Sequence, residues 1–269
     1  MLAGVRLYLV VLLALGLTAY LPAQDAAALY RDGLRLFSAR KTDDAIVSLR
    51  RSLALDPGFA PAWKALGVAL ASKGDIEGAE TPFRTACTRQ PALEDACLYY
   101  GRSLYLLNRF QPAVDVLKRA IASDRDTAEA HRLLGLSLQA LDRMPEAGVE
   151  FRTAIGMAAN SAPDEDPAID YAVYLFRLGQ AERAIEPLQA ALQRHPASGR
   201  AHLELGCILL ALDRLEDAAG HLERAVAINP QSGRAHLLLG KVYLRLGKTD
   251  AGEEHLRLGS RGNSREEHP

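Results

Sequence analysis

The sequence predicts an all-α fold in which antiparallel helix pairs stack one after another as a solenoid. Two columns of small residues carry this prediction, because they return about every 34 residues along seven successive blocks of the 269-residue chain. A column of large apolar residues returns with the same period. Self-similarity at this spacing is typical of arrays of helix pairs. The seven blocks are 26–59, 60–93, 94–127, 128–161, 165–198, 199–232 and 233–266.

The small residues occupy the eighth and twentieth positions of each block. Where two packed helices approach most closely, a side chain larger than a methyl group does not fit between them. We therefore expect position eight of the first helix to meet position twenty of the second, with Leu or Phe at position twenty-four beside the crossing. Position eight is Gly33, Gly67, Gly101, Gly135, Ala172, Gly206 and Gly240, and position twenty is Ala45, Ala79, Ala113, Ala147, Ala184, Ala218 and Gly252.

The fifteenth positions and a set of prolines predict where the helices end. Six of the seven residues at position fifteen are Gly, Asn or Asp, which tolerate the left-handed conformation that closes a helix, and the seventh is Arg40. Prolines that cannot continue a helix follow the second helix of four blocks; they are Pro57, Pro91, Pro196 and Pro230. Three extra residues, 162–164, interrupt the period. The acidic residues before Pro167 predict a helix start there rather than a calcium site.

Residues 1–24 differ in composition from the rest of the chain. Arg6 precedes an apolar run that ends at Leu21, which is typical of a secretory signal peptide cleaved near Ala23. An uncleaved membrane anchor is the alternative. We expect an exported protein of the bacterial periplasm or cell envelope, with membrane contact only through residues 1–24 if they remain attached. The array then spans 25–260, and 261–269 form a disordered tail.

Charge and motifs argue against several classes of function. The 32 basic and 33 acidic residues are spread along the chain, which argues against a nucleic-acid surface. The sequence has no HExxH, GxSxG, Walker A, GxGxxG or CxxC motif. His131, His202 and His236 share position four of their blocks, but equivalent positions of neighbouring repeats lie about 10 Å apart, too far for a shared zinc. His221 and His255 recur at position twenty-three, again once per repeat. We therefore predict no catalytic activity, no cofactor and no metal.

Three cysteines leave two alternatives open. Cys87, Cys97 and Cys207 are an odd number for an exported protein. Three buried free thiols are the simpler expectation, because free cysteine is among the most buried residue types. The alternative is a disulfide between Cys87 and Cys97 that joins neighbouring repeats, which an oxidising compartment permits.

The second block resembles the tetratricopeptide repeat family. The residues that carry the resemblance are Trp63, Leu66, Gly67, Leu70, Ala79, Phe83, Ala86 and Pro91. The resemblance extends over 26–266 and implies a right-handed superhelix whose concave groove binds peptides or partner proteins. Asp32 departs from the family pattern, where an apolar residue is usual. Gly252 and Gly259 are expected to weaken the last helix.

The resemblance places positions two, five, six, nine, twelve and thirteen of each first helix in the groove. Many of these positions are apolar, and a long apolar stripe on a wet surface indicates a ligand. We expect a hydrophobic or amphipathic segment of a partner protein to dock there. A clamp for a terminal carboxylate is not matched, because only Lys64 is in place. The candidate groove residues are Leu34, Phe37, Val68, Leu98, Tyr99, Tyr105, Leu136, Ile169, Val173, Phe176, Leu203, Leu210, Leu237 and Leu244.

Two other functions fit the same pattern. A homo-oligomeric structural protein would fill its groove with a second copy. A regulatory or targeting subunit of an envelope enzyme complex would have the same sequence features, because its catalysis lies in another chain.

Overall fold

The computed structural model describes residues 25–89, 93, 95–122, 127–158 and 162–266. The described residues form helices joined by short turns and no strand, so the predicted all-α solenoid of helix pairs is confirmed. Residues 1–24, on which the signal-peptide prediction falls, and Pro91 lie outside the described ranges. The helices are α1 (25–38), α2 (Thr42–Leu55), α3 (Ala60–Ser72), α4 (Ile76–Arg89), α5 (Ala96–Leu106), α6 (Phe110–Ala122), α7 (Ala128–Ala140), α8 (Met144–Met157), α9 (Pro167–Arg177), α10 (Ile185–Arg194), α11 (Gly199–Ala211), α12 (Leu215–Ile228), α13 (Gly233–Arg245) and α14 (Thr249–Glu266).

The chain forms two compact units that divide between Asp126 and Thr127. In the first unit, the helices from α2 to α6 each pack on the next helix along the chain. The same is true of the second unit, where the first helices of successive pairs, α7, α9, α11 and α13, also contact one another in order. The first helices of the second unit therefore form one continuous layer.

The two helices of each pair cross where the small residues lie. A Cβ atom added to Gly67 would lie 2.6 Å from the ring of Phe83, and one added to Gly101 would lie 2.6 Å from Leu117. The crossing prediction is confirmed with one refinement, because the side chain at position twenty-four makes the nearest contact with these two glycines. The alanines at position twenty are fully buried; they are Ala45, Ala79, Ala113, Ala147, Ala184 and Ala218.

The turn within each pair uses the left-handed conformation predicted for position fifteen. All seven residues have positive φ, including Arg40 at 60°. The others are Gly74, Asn108, Asp142, Gly179, Asp213 and Gly247. Helices α2, α10 and α12 each end two residues before a proline, as predicted for Pro57, Pro196 and Pro230.

The three-residue insertion leads into a capped helix start. Residues Pro163–Glu165 form a short 3-10 helix, and α9 then begins at Pro167. The carboxylate of Asp166 accepts a hydrogen bond from the backbone N–H of Ala168 at 2.9 Å, which satisfies one of the free donors at the start of a helix. The prediction of a helix start at this acidic segment is confirmed.

The last helix corrects two expectations. Helix α14 extends to Glu266, so residues 261–266 are helical and the predicted disordered tail begins too early; 267–269 lie outside the described residues. Gly252 and Gly259 do not interrupt the helix. A Cβ on either one would lie within 2.8 Å of Leu244 or Leu237 respectively, so these glycines let α14 pack closely on α13.

Cys87 and Cys97 form a disulfide, which corrects the expectation of three free thiols. Their Cα atoms are 4.7 Å apart, and both residues are buried. The bond joins α4 of one repeat to α5 of the next. Cys207 is a half-buried free thiol.

Alanine substitution at two helical glycines tests the packing account. Gly206→Ala is expected to lower the free energy of unfolding, because the new Cβ would lie 2.6 Å from Leu222. Gly220→Ala is expected to raise it by about 1 kcal/mol, because alanine is the better helix former and no atom lies within 4 Å of the added Cβ. Urea denaturation measures both changes. Equal effects at the two sites would contradict the account.

Thiol titration of the denatured protein tests the disulfide. One reactive thiol, that of Cys207, is expected without reductant, and all three cysteines are expected to react after reduction. Replacing Cys87 and Cys97 with alanine should lower the free energy of unfolding by about 2–3 kcal/mol, because the denatured chain loses a short closed loop. Three reactive thiols before reduction would show that the bond is absent.

Candidate functional site

A pocket in the first unit brings together four of the predicted groove residues. Leu34 and Phe37 come from α1, Val68 from α3 and Tyr99 from α5, and they line a pocket of about 300 Å³. Leu34 is 39% exposed at its edge. The other lining residues are Tyr30, Leu49, Pro61, Lys64, Ala65 and Leu93. The face that the family resemblance assigns to the groove is thus concave across the first three repeats.

The pocket wall is held by aromatic contacts with the core. The ring of Tyr99 stacks on that of buried Phe83 with the centroids 5.3 Å apart. Tyr30 meets Phe59 edge to face at 5.1 Å. Burial raises the pKa of the Tyr30 phenol, so this side chain stays uncharged at neutral pH. Because Phe37 and Val68 also pack on the core cluster that includes Phe83, the pocket is built into the fold.

One charged side chain belongs to the pocket lining. The Nζ atom of Lys64 lies 5.9 Å from the centroid of the Tyr99 ring, within the range of a cation–π contact. Lys64 is therefore part of the wall, and the apolar lining suits an apolar side chain of a ligand.

The remaining candidates in the first unit lie elsewhere. Leu98 and Tyr105 are half-buried and do not line this pocket. The ring of Tyr105 packs on Phe110 instead, with the centroids 5.9 Å apart. The place of Leu98 and Tyr105 in the groove therefore stays a prediction.

The candidates in the second unit differ in their exposure. Ile169 is fully buried, so its assignment to the partner-binding groove is wrong: the side chain belongs to the core. Leu237 and Leu244 lie against Gly259 and Gly252, although Leu244 is still 40% exposed. The half-buried candidates are Leu136, Val173, Phe176, Leu203 and Leu210.

Sequence reasoning missed several lining residues whose positions carried the signal. Tyr30 and Lys64 stand at position five of their blocks, Pro61 at position two and Ala65 at position six. All four positions belong to the face assigned to the groove. In the sequence, Lys64 matches one residue of a carboxylate clamp. In the structure, its Nζ atom lies over the ring of Tyr99.

The position-four side chains tie each of three repeats to the preceding one. The ring N–H of Trp63 donates to the carbonyl oxygen of Pro57 at 2.9 Å. The Nε2 atom of His202 lies 3.2 Å from the carbonyl oxygen of Pro196, and that of His236 lies 3.1 Å from Pro230. The signal was present in the sequence, because each ring stands six residues after a proline.

Histidines at position four also pair with position twenty-three of the same repeat. The Nδ1 atom of His202 lies 3.0 Å from Nδ1 of His221, and that of His236 lies 2.8 Å from Nδ1 of His255. Burial lowers the pKa of His202, His221 and His255. In the fourth repeat the equivalent pair is His131 Nδ1 and Glu150 Oε2 at 2.5 Å. Each of the two positions recurs by itself in the sequence, so the pairing between them was not predicted.

The acidic junction binds arginines from three helices. Asp166 is fully buried and accepts two hydrogen bonds from Arg194, at 2.9 and 3.0 Å. Asp170, only 2% exposed, pairs with Arg132 at 3.1 Å and with Arg200. Burial alone would lower the pKa of Arg132, but its acidic neighbours raise it overall, so the guanidinium stays charged. These buried carboxylates therefore neutralise buried Arg132 and the more exposed Arg194 and Arg200.

No metal cluster or membrane helix is found in the described ranges. Within them, no three His, Cys, Asp or Glu side chains come together as a set that could hold a metal. Across the same residues, no helix combines the length and the apolar composition needed to cross a bilayer.

Removal of one junction carboxylate tests the buried ion pairs. Asp170→Ala is expected to lower the free energy of unfolding by about 3–5 kcal/mol, because Arg132 and Arg200 lose a buried partner. Asp217→Ala removes an exposed partner of Arg214 and is expected to cost less than about 1 kcal/mol. Denaturant titration of both variants checks the difference, and a similar cost at the two sites would contradict it.

The stacked helix pairs and their glycine crossings define a helical repeat protein of the solenoid class. Tetratricopeptide repeat signatures match residues 30–94, 101–162 and 170–233, and a further one matches 209–264. The matches span more than half of the chain, so the protein belongs to the tetratricopeptide repeat family. Members of this family generally act as non-catalytic scaffolds for protein interactions.

Three known proteins illustrate the similarity. Protein IFIT1 homolog B from Homo sapiens is 31% identical over 151 residues, which cover 52% of this chain but only 31% of the human protein. A tetratricopeptide repeat protein from Parabacteroides merdae superposes with a TM-score of 0.71 at 12% identity, over 88% of this chain and 93% of that one. PilW, a type IV pilus biogenesis factor, gives a TM-score of 0.65 at 20% identity, over 73% and 90%. At these identities the two structures support the fold alone.

Proposed function

We propose that this protein is a non-catalytic adaptor of the bacterial cell envelope that binds a hydrophobic or amphipathic segment of a partner protein. The observation that carries the proposal is the aromatic pocket of the first unit. Its walls are formed by Tyr30, Phe37, Val68 and Tyr99, and Lys64 supplies a positive charge. The occupant is an apolar side chain of the partner.

The pocket is lined mainly by apolar and aromatic side chains, which favours an apolar protein segment as its occupant. An apolar concavity open to water is unfavourable unless a ligand covers it. Leu34 is 39% exposed at the edge, while Tyr99 is anchored on the core through Phe83. A pre-formed pocket of this kind does not have to be ordered on binding, which lowers the cost of association.

Export to the envelope is supported by the covalent structure. A disulfide between Cys87 and Cys97 forms and persists in oxidising compartments such as the periplasm. The apolar run within residues 1–24 has the composition of a signal peptide.

A pocket variant with a matched control tests the proposal. The full-length protein, Leu34→Asp and Val47→Asp are used to capture partners from envelope extracts of the producing cells. A peptide from each captured protein is then titrated by fluorescence anisotropy. Leu34→Asp is expected to bind roughly thirtyfold more weakly, because a leucine contact contributes about 2 kcal/mol.

The control substitution separates the pocket from general surface effects. Val47 is 48% exposed and lies on α2, the second helix of its pair, outside the pocket lining, so Val47→Asp is expected to bind like the unaltered protein. Equal binding by all three proteins would exclude the pocket as the site. Capture of the protein itself alone would favour the homo-oligomer instead.

A further inference from the structure

Two histidine pairs lie in the last two repeats, far along the chain from the pocket residues. In the first pair, Nδ1 of His202 faces Nδ1 of His221 at 3.0 Å, and in the second, Nδ1 of His236 faces Nδ1 of His255 at 2.8 Å. The ring centroids are 5.2 and 5.1 Å apart. The same arrangement is therefore built twice, between α11 and α12 and between α13 and α14.

The hydrogen bond made by Nε2 fixes the tautomer of His202 and of His236. Nε2 of His202 and of His236 lies within hydrogen-bond distance of a proline carbonyl oxygen, at 3.2 and 3.1 Å. A carbonyl oxygen only accepts, so Nε2 carries the hydrogen, and Nδ1 of the neutral ring presents a lone pair to its partner. Histidines that bind metals almost always donate their other ring N–H to a carbonyl or carboxylate. Both rings already have this outer hydrogen bond.

We propose that a divalent transition metal replaces the hydrogen between the two Nδ1 atoms of each pair and binds both nitrogens. At a metal–nitrogen distance of about 2.0 Å, nitrogens 2.8–3.0 Å apart subtend an angle of about 90° at the metal. This is the angle between adjacent ligands of octahedral and square-planar sites, which Ni²⁺ and Cu²⁺ favour, whereas tetrahedral zinc requires a wider one.

The surroundings of the pairs agree with metal binding. His221 lines an open depression with Gln189 and Gln193, so water reaches it and completes the coordination. The separation of about 10 Å applies to equivalent histidines of neighbouring repeats. The two histidines of each pair belong to the same repeat and lie much closer together.

In the fourth repeat, a carboxylate takes the place of the second imidazole. There the partner of His131 Nδ1 is a carboxylate oxygen of Glu150, at 2.5 Å, instead of a second imidazole. The fold thus accepts a side chain of this length at position twenty-three. Glutamine at the same position has the same length, so His221→Gln and His255→Gln are expected to keep the helices intact.

Calorimetric titration with NiCl₂ tests the proposal on the full-length chain, purified without a polyhistidine tag. Two equivalents of Ni²⁺ are expected to bind to the unaltered protein. His221→Gln and His255→Gln should each lose one equivalent, and the double variant should lose both. A control with His195→Gln and His268→Gln, which removes histidines outside the pairs, should keep both equivalents.

Paramagnetic broadening by Ni²⁺ gives a second measurement that needs no variant. The ring protons of the four paired histidines should broaden at lower Ni²⁺ concentration than those of His131. Circular dichroism verifies that the variants remain helical. Unchanged nickel binding in the double variant, or broadening that does not distinguish the paired histidines from His131, would overturn the proposal.

Discussion

The close crossing of the two helices in each pair is the contact on which the rest of the structure depends. At Gly67 and Gly101 there is no room for a Cβ atom, because the side chains of Phe83 and Leu117 occupy that space. The large residue at position twenty-four can enter the crossing only because position eight is small. This contact sets the separation of the paired helices and therefore the faces that they leave for neighbouring repeats.

Neighbouring repeats are joined by several different polar or covalent links. Ring N–H groups of Trp63, His202 and His236 donate to proline carbonyls that follow the preceding helix, so these otherwise free acceptors are satisfied. A disulfide joins α4 to α5. At the irregular junction, buried carboxylates and arginines take over, because three inserted residues change the local spacing. Each of these links requires a particular geometry. Together they fix the orientation of neighbouring repeats more closely than apolar packing alone would.

The candidate site follows from the same geometry. First helices present their groove-facing positions side by side. Aromatic residues at these positions in the first and third repeats, together with Val68 of the second, enclose a pocket. Tyr99 contributes to both the pocket wall and the core through its stacking on Phe83. The pocket wall is therefore held in place by packing in the core, which explains how a repeat array can keep a pre-formed apolar concavity open to water.

The sequence alone determined the periodic features of this protein, because each repeat faces the same constraints. It predicted the small residues at the crossings, the left-handed turns at the six Gly, Asn or Asp residues of position fifteen, and the groove positions that later supplied Leu34 and Val68 to the pocket. The left-handed conformation of Arg40 was not expected from its residue type. Only the tertiary structure showed which residues at different positions of the repeat contact one another, as in the Cys87–Cys97 disulfide and the histidine pairs. It also showed that Ile169 is buried. The reason is physical, since a period fixes the face on which a residue lies, whereas its partner depends on side-chain packing between helices.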